Sequence, residues 1–132
     1  MIITQKIIMR EDLQNNPSIK YLFGDNVRRT GFGGQAKEMR GEPNAIGIAT
    51  KYSPSTVQSA YYSDDNYMAC VGLMYQDFLP AIEHIRNGGT LVIPTDGLGT
   101  GLSKLPEKAP KINKALNDLI EYLYDLDKRL NK

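Results

Sequence analysis

The amino-acid sequence predicts an α/β layer sandwich wound on a mainly parallel sheet, and three observations carry that expectation. Short apolar runs alternate with longer stretches of helical periodicity, the order in which parallel sheets are connected. Two of the runs, residues 19–23 and 90–94, are apolar almost throughout, as strands buried on both faces are. Each is followed by a glycine-rich loop. With 132 residues, the natural reading is one domain over 1–132.

The elements follow in order. Residues 2–9 are rich in β-branched and apolar side chains and predict a first strand. A short helix is expected over 10–16, ended by Asn15-Asn16-Pro17-Ser18. The second strand, 19–23, is expected to stop at Gly24-Asp25-Asn26, with a short helix over 34–39 and a turn at 41–44. A third strand, 45–49, contains Gly47, where another group can approach the backbone closely. Residues 53–66 lack periodicity and read as a long surface loop of lid type. Val71, Met74, Tyr75, Phe78, Leu79, Ile82 and Ile85 share one face of a helix over 67–87, in which Pro80 predicts a kink or a break. Gly88-Gly89 ends it, and 90–94 is the next strand. Pro106 and Pro110 suit first helical turns. The stripe Ile112, Ala115, Leu116, Leu119, Ile120, Leu123, Leu126 and Leu130 predicts a long final helix.

Composition narrows the function classes. Hydrophobic residues make up 41% and charged residues 23%, the balance of a soluble globular chain. Sixteen basic against fifteen acidic residues leave a net charge of +1, with no global pull toward nucleic acid or membrane. Any anion site must therefore be local. Cys70 is the one cysteine and His84 the one histidine, so neither a disulfide scaffold, a structural zinc site nor a Ser/His/Asp triad is expected, and no cofactor is called for. No apolar run nears the ~20 residues of a membrane span, the first residues lack a signal-peptide pattern, and the cytoplasm is the expected compartment.

The candidate chemistry lies in the two loops. The first offers Asp25 and Asn26, which can accept from and donate to a nucleoside, then Arg28 and Arg29, whose planar donors suit a diphosphate. Gly31, Gly33 and Gly34 follow, able to present bare backbone amides. The second is Thr95-Asp96-Gly97-Leu98-Gly99-Thr100-Gly101-Leu102, again after an apolar strand. Thr50 and Lys51 end a third strand on the same expected edge, Lys51 being either a phosphate ligand or an exposed lysine. Asp25 and Asp96 are the carboxylates able to orient a water. Neither a dinucleotide fingerprint nor a Walker loop is present. The expected arrangement is two loops facing one ligand.

At these loops the chain resembles the macrodomain superfamily, specifically a divergent macro-like branch often met in phage genomes. The likeness rests on Tyr21-Leu-Phe-Gly-Asp-Asn26 followed by Gly31-Phe-Gly-Gly-Gln-Ala36, and on residues 91–102 leading into Leu105-Pro106 and the final helix. It implies a three-layer α/β/α sandwich with a mixed, mainly parallel central sheet. It also implies an ADP-ribose-type ligand, free or on a modified macromolecule. Asn26 would touch the distal ribose, and Gly31 to Gln35 with Gly99 to Leu102 would enclose the diphosphate. The family's earlier Gly-Asp-Ile/Val, whose aspartate meets adenine, is absent before Ile19, leaving Asp25 as its candidate substitute. Three functions follow as expectations. The first is a binder of an NAD-derived nucleotide. The second is an ADP-ribosyl hydrolase using Asn26 with Asp25 or Asp96. The third is an interaction module whose glycine loops are only structural.

Overall fold

The structure is a computed structural model and describes residues 1–131. Four strands, β1 (Ile2–Gln5), β2 (Lys20–Asn26), β3 (Ala45–Lys51) and β4 (Leu91–Pro94), form one sheet in the order β1-β4-β2-β3. Every pairing of these strands is parallel. The one antiparallel contact among the described residues outside them is an isolated bridge between Lys51 and Tyr61.

Side-chain alternation along β2 divides the core into two layers. Tyr21 and Phe23 face one side together with Val92 of β4, where Ile8, Leu13, Ala36 and Met39 cover them from α1 (Arg10–Asn15), α2 (Ala36–Met39) and their flanks. Leu22 faces the other side with Ile46, Ile48, Leu91 and Ile93, under α3 (Tyr67–Arg86) and α5 (Pro110–Leu130). The result is the three-layer α/β/α sandwich. A short α4 (Leu105–Lys108) leads into α5, and Pro110 occupies its first turn.

Several boundaries differ from the sequence expectation, each for a local reason. β1 ends at Gln5; beyond it Ile8 turns into the smaller core beside Leu13, while Ile7 is exposed. β2 does not stop before Gly24. It runs on through Asp25 and Asn26 because β3 continues beside it, pairing Gly24 with Ile48, Asp25 with Ala49 and Asn26 with Lys51. Pro80 does not divide α3, which is one helix from Tyr67 to Arg86 with the proline on its exposed side, where water can serve the unpaired carbonyl.

Residues 53–66 are not a free lid. They hold two 3₁₀ turns, and Ala60 and Tyr62 are buried. Asp64 is spent at the start of α5, where Oδ2 accepts from the amide of Lys111 and Oδ1 from that of Ile112. These are two of the helix's orphan donors, capped from 47 and 48 residues away in sequence.

The free edge of β3 is also closed by side chains. Arg29 donates to the Gly47 carbonyl and to Asp77 of α3, and Asp77 Oδ2 accepts from the Ala49 amide. An uncovered edge invites pairing with another chain; this charged clasp blocks it.

Candidate functional site

Parallel strands place their following loops on one edge of the sheet. Because β4 and β2 are neighbours, the loops after them lie side by side. They touch. A Cβ built on Gly33 would stand 2.7 Å from Leu102 Cδ1, and one on Gly24 would stand 3.6 Å from the Gly99 amide nitrogen. The arrangement that would have sunk the two-loop reading, with 31–35 and 97–102 on opposite sides, does not occur.

Between the loops is a cleft of about 330 Å³, walled by Gly34 and Gln35 on one side and by residues 96–103 on the other, with Gly24 and Pro94 at the strand ends and Lys6 at the rim. A smaller chamber of about 60 Å³ adjoins it, lined by Asp25, Asn26, Thr30, Gly31, Gly33, Arg40 and Lys51. Gly24, Leu102 and Ser103 line both, so Leu102 stands between them.

The backbone here is arranged to offer donors. Gly31, Gly34, Gly97 and Gly99 have positive φ, a conformation that glycine adopts without penalty. Gly97 donates back to Pro94, Lys104 to Gly101 and Leu105 to Gly99. Among the described residues, the amides of 98–103 and 31–36 have no acceptor. Runs of unpaired amides in such turns form concave anion-binding nests.

The side chains of the first loop are mostly engaged in holding that backbone. Asp25 is buried, its Oδ1 2.6 Å from Arg40 Nη2 and its Oδ2 3.3 Å from Nη1. Its Oδ1 also accepts from the Asn26 amide. Arg40, at the end of α2, donates further to the carbonyls of Gly31 and Thr30. One bidentate pair thus ties the end of β2 to the glycine loop. Asn26 Nδ2 donates to the Thr30 carbonyl at 2.8 Å. Gly47 leaves room for this pair, since a Cβ there would lie 2.6 Å from Asp25 Oδ2.

The predicted residues divide accordingly. Asp96, Gly97, Leu98, Gly99, Thr100, Gly101, Leu102, Gly34 and Gln35 line the cleft, and Asp25, Asn26, Gly31, Gly33 and Lys51 the chamber. Four line neither. Arg29 is drawn to the β3 edge by Asp77, the attraction that holds its guanidinium pKa up despite the opposing effect of burial. Arg28 is exposed. Thr50 is fully buried, bonded to Ser103 beneath the second loop. Thr95 is exposed, its amide donating to Gln5. Sequence reasoning missed Arg40, Ser103 and Lys6. Nothing local marks Arg40, which lies 15 residues from its carboxylate. No helix among the described residues is long and apolar enough to cross a membrane.

A family model described as "Family of unknown function (DUF7831)" matches residues 3–119. The chain belongs to that family. No curated protein and no solved structure matches it. The DUF7831 match spans both glycine loops, β1 from Ile3, the other three strands and the first half of α5, to Leu119.

Proposed function

We propose that the cleft binds ADP-ribose or a related NAD-derived nucleotide, with the diphosphate seated on the amides of the two glycine loops. One observation supports this above the others: acceptor-free backbone amides from both loops, those of Gly34 and Gln35 and those of 98–103, border the same cleft, with those of Gly31, Gly33 and Ala36 in the adjoining chamber. Such donors attract a diffuse anion without requiring a basic surface. The cleft volume is within the usual range of small-ligand sites, roughly 300–1,000 Å³. The macrodomain resemblance at the same two loops supplies the nucleotide chemistry.

Binding is favoured over hydrolysis because Asp25, one of the two candidate carboxylates, is committed to Arg40. The hydrolase reading rests on Asp96, exposed at the cleft with its carboxylate unbonded among the described residues, while its main-chain oxygen accepts from the Thr100 hydroxyl. Calorimetric titration with ADP-ribose tests the proposal. Saturable binding is expected in the wild type and its loss in Gly33→Glu, where the new side chain must displace Leu102 and brings a carboxylate to the anion seat. No heat in the wild type, or equal affinity in the variant, rejects it. Release of ADP-ribose from a modified protein would move the assignment to hydrolase.

A further inference from the structure

We infer that the smaller chamber beyond Leu102 is a separate seat for a phosphate-sized anion, with Lys51 as its cation. The inference rests on Lys51 and stands whether or not the larger cleft takes a nucleotide. Lys51 is only 6% exposed, yet it makes no ion pair among the described residues. A buried charge is costly unless it is paired. Of the three donors on its ammonium group, one is directed to the Ser55 carbonyl at 3.0 Å. The Tyr61 ring, 4.2 Å from Nζ, contributes a cation–π contact but accepts no conventional hydrogen bond.

The surroundings add positive charge rather than remove it. Lys108 Nζ lies 4.9 Å from the centroid of the same Tyr61 ring and likewise has no ion pair among the described residues. Within the chamber the one carboxylate, Asp25, is already matched by Arg40 and approached by Arg29 at 3.6 Å. The other basic side chains near it, Arg29 and Arg40, are therefore balanced by Asp77 and Asp25, while Lys51 and Lys108 are not. Lys108 is exposed and lines neither cavity, so Lys51, buried and lining the chamber without a carboxylate partner among the described residues, is the cation that marks a place for an anion, with Lys108 adding charge nearby. The Gly31 and Gly33 amides, without acceptors among the described residues, border the same space and can share its charge. The chamber is too small for a nucleoside and has room for one oxyanion. That anion is either free phosphate or a phosphate carried on a larger ligand that reaches past Leu102.

Thermal unfolding in sodium phosphate against sodium chloride of equal ionic strength tests this on the unaltered protein. Phosphate at tenfold excess over its dissociation constant is expected to raise Tm by roughly 3–6 °C. Lys51→Met should abolish the rise, and Lys108→Gln, an exposed substitution that leaves the fold intact, should weaken phosphate affinity about 2–5-fold. If wild-type Tm is the same in phosphate and chloride, or if Lys51→Met responds as the wild type does, the inference is wrong. ADP-ribose titrated at saturating phosphate then separates the two sources. Competition places a nucleotide's own phosphate in the seat; undiminished affinity assigns the seat to free phosphate. A phosphate effect without any ADP-ribose binding would reject the nucleotide reading while upholding the seat.

Discussion

Replacing Arg40 by methionine tests whether the Asp25–Arg40 pair holds the first glycine loop. The Asp25 side chain is 4% exposed and that of Arg40 16%, so the pair is well shielded from solvent. Removing one partner from a buried pair costs about 3–5 kcal/mol, mainly by stranding the other charge. Two contacts soften the loss here: Arg29 stands 3.6 Å from Asp25 Oδ2, and the Asn26 amide donates to Oδ1. Against that, the carbonyls of Gly31 and Thr30 also lose their donor. The expected cost of Arg40→Met is therefore about 2–4 kcal/mol, or roughly 8–15 °C in Tm for a chain of this size. Urea unfolding of Arg40→Met, Asp25→Asn and the double variant gives the pairwise term directly. The double variant should recover at least about 1.5 kcal/mol relative to the sum of the singles, since it leaves no unpaired charge. Additivity within ~0.5 kcal/mol would refute the assignment, because residues in one ion pair cannot behave independently. Arg40→Lys should recover little, as a lysine cannot span both carboxylate oxygens and the two loop carbonyls.

Three further outcomes follow from single groups. The Tyr62 hydroxyl is buried with no hydrogen-bond partner among the described residues, so Tyr62→Phe should stabilise the protein by about 0.5–1.5 kcal/mol in urea unfolding; a loss of stability would mean the hydroxyl is satisfied. Asp64→Ala removes the distant cap from α5 and should cost about 1–2 kcal/mol, with segment 57–66 losing amide-exchange protection; unchanged protection there would show that the segment is held without the cap, by buried Ala60 and Tyr62 and the bridge to Lys51. Burial and then the contact with Cys70 push Tyr52 up to about 12, and burial also raises Tyr62 and Cys70. The folded state then binds these protons more tightly than the unfolded state. Their contribution is complete below the unfolded values, roughly 9 for the thiol and 10 for the tyrosines, and is lost as pH rises toward the folded ones. Urea midpoints at pH 8, 9.5 and 11 should fall in that order, and a rise between 9.5 and 11 would contradict the assignment.

The parts of the architecture visible in the sequence are those set by local pattern. The apolar runs give β2 and β4, the leucine stripe gives α5, and two strand–glycine-loop units predict two loops that meet. What the sequence hides is set by partners far along the chain. Gly24-Asp25-Asn26 reads as a turn because glycine, aspartate and asparagine disfavour strands. It is strand because β3 pairs with it and Arg40 neutralises the aspartate. Arg28 and Arg29 look alike in sequence, but Arg29 adopts φ 56 and is drawn to Asp77 across 48 residues, while Arg28 is left exposed. Asp64 and Asp65 look equally surface-bound, yet Asp64 caps a helix. Ser103 gives no signal of its own, because its role is to bond Thr50 under the loop.

These long-range pairs also reconcile the proposed anion site with a nearly neutral chain. A site that relied on formal charge would leave its arginines free. Here the arginine nearest the chamber is matched to a carboxylate, and the other arginine that touches that carboxylate is matched to Asp77, so neither adds net charge. Their hydrogen bonds are directed instead to backbone carbonyls: Gly31 and Thr30 from Arg40, Gly47 from Arg29. Fixing the carbonyls of Thr30 and Gly31 restrains the glycine loop, whose acceptor-free amides at Gly31 and Gly33 border the chamber and at Gly34 and Gln35 the cleft. In the proposed binding the electrostatics are thus transferred from side chains to peptide dipoles, which act over short range and are little affected by the protein's net charge. Lys51 departs from this scheme, a buried cation with no carboxylate partner among the described residues, and for that reason the chamber it lines is separable by experiment from the cleft beside it.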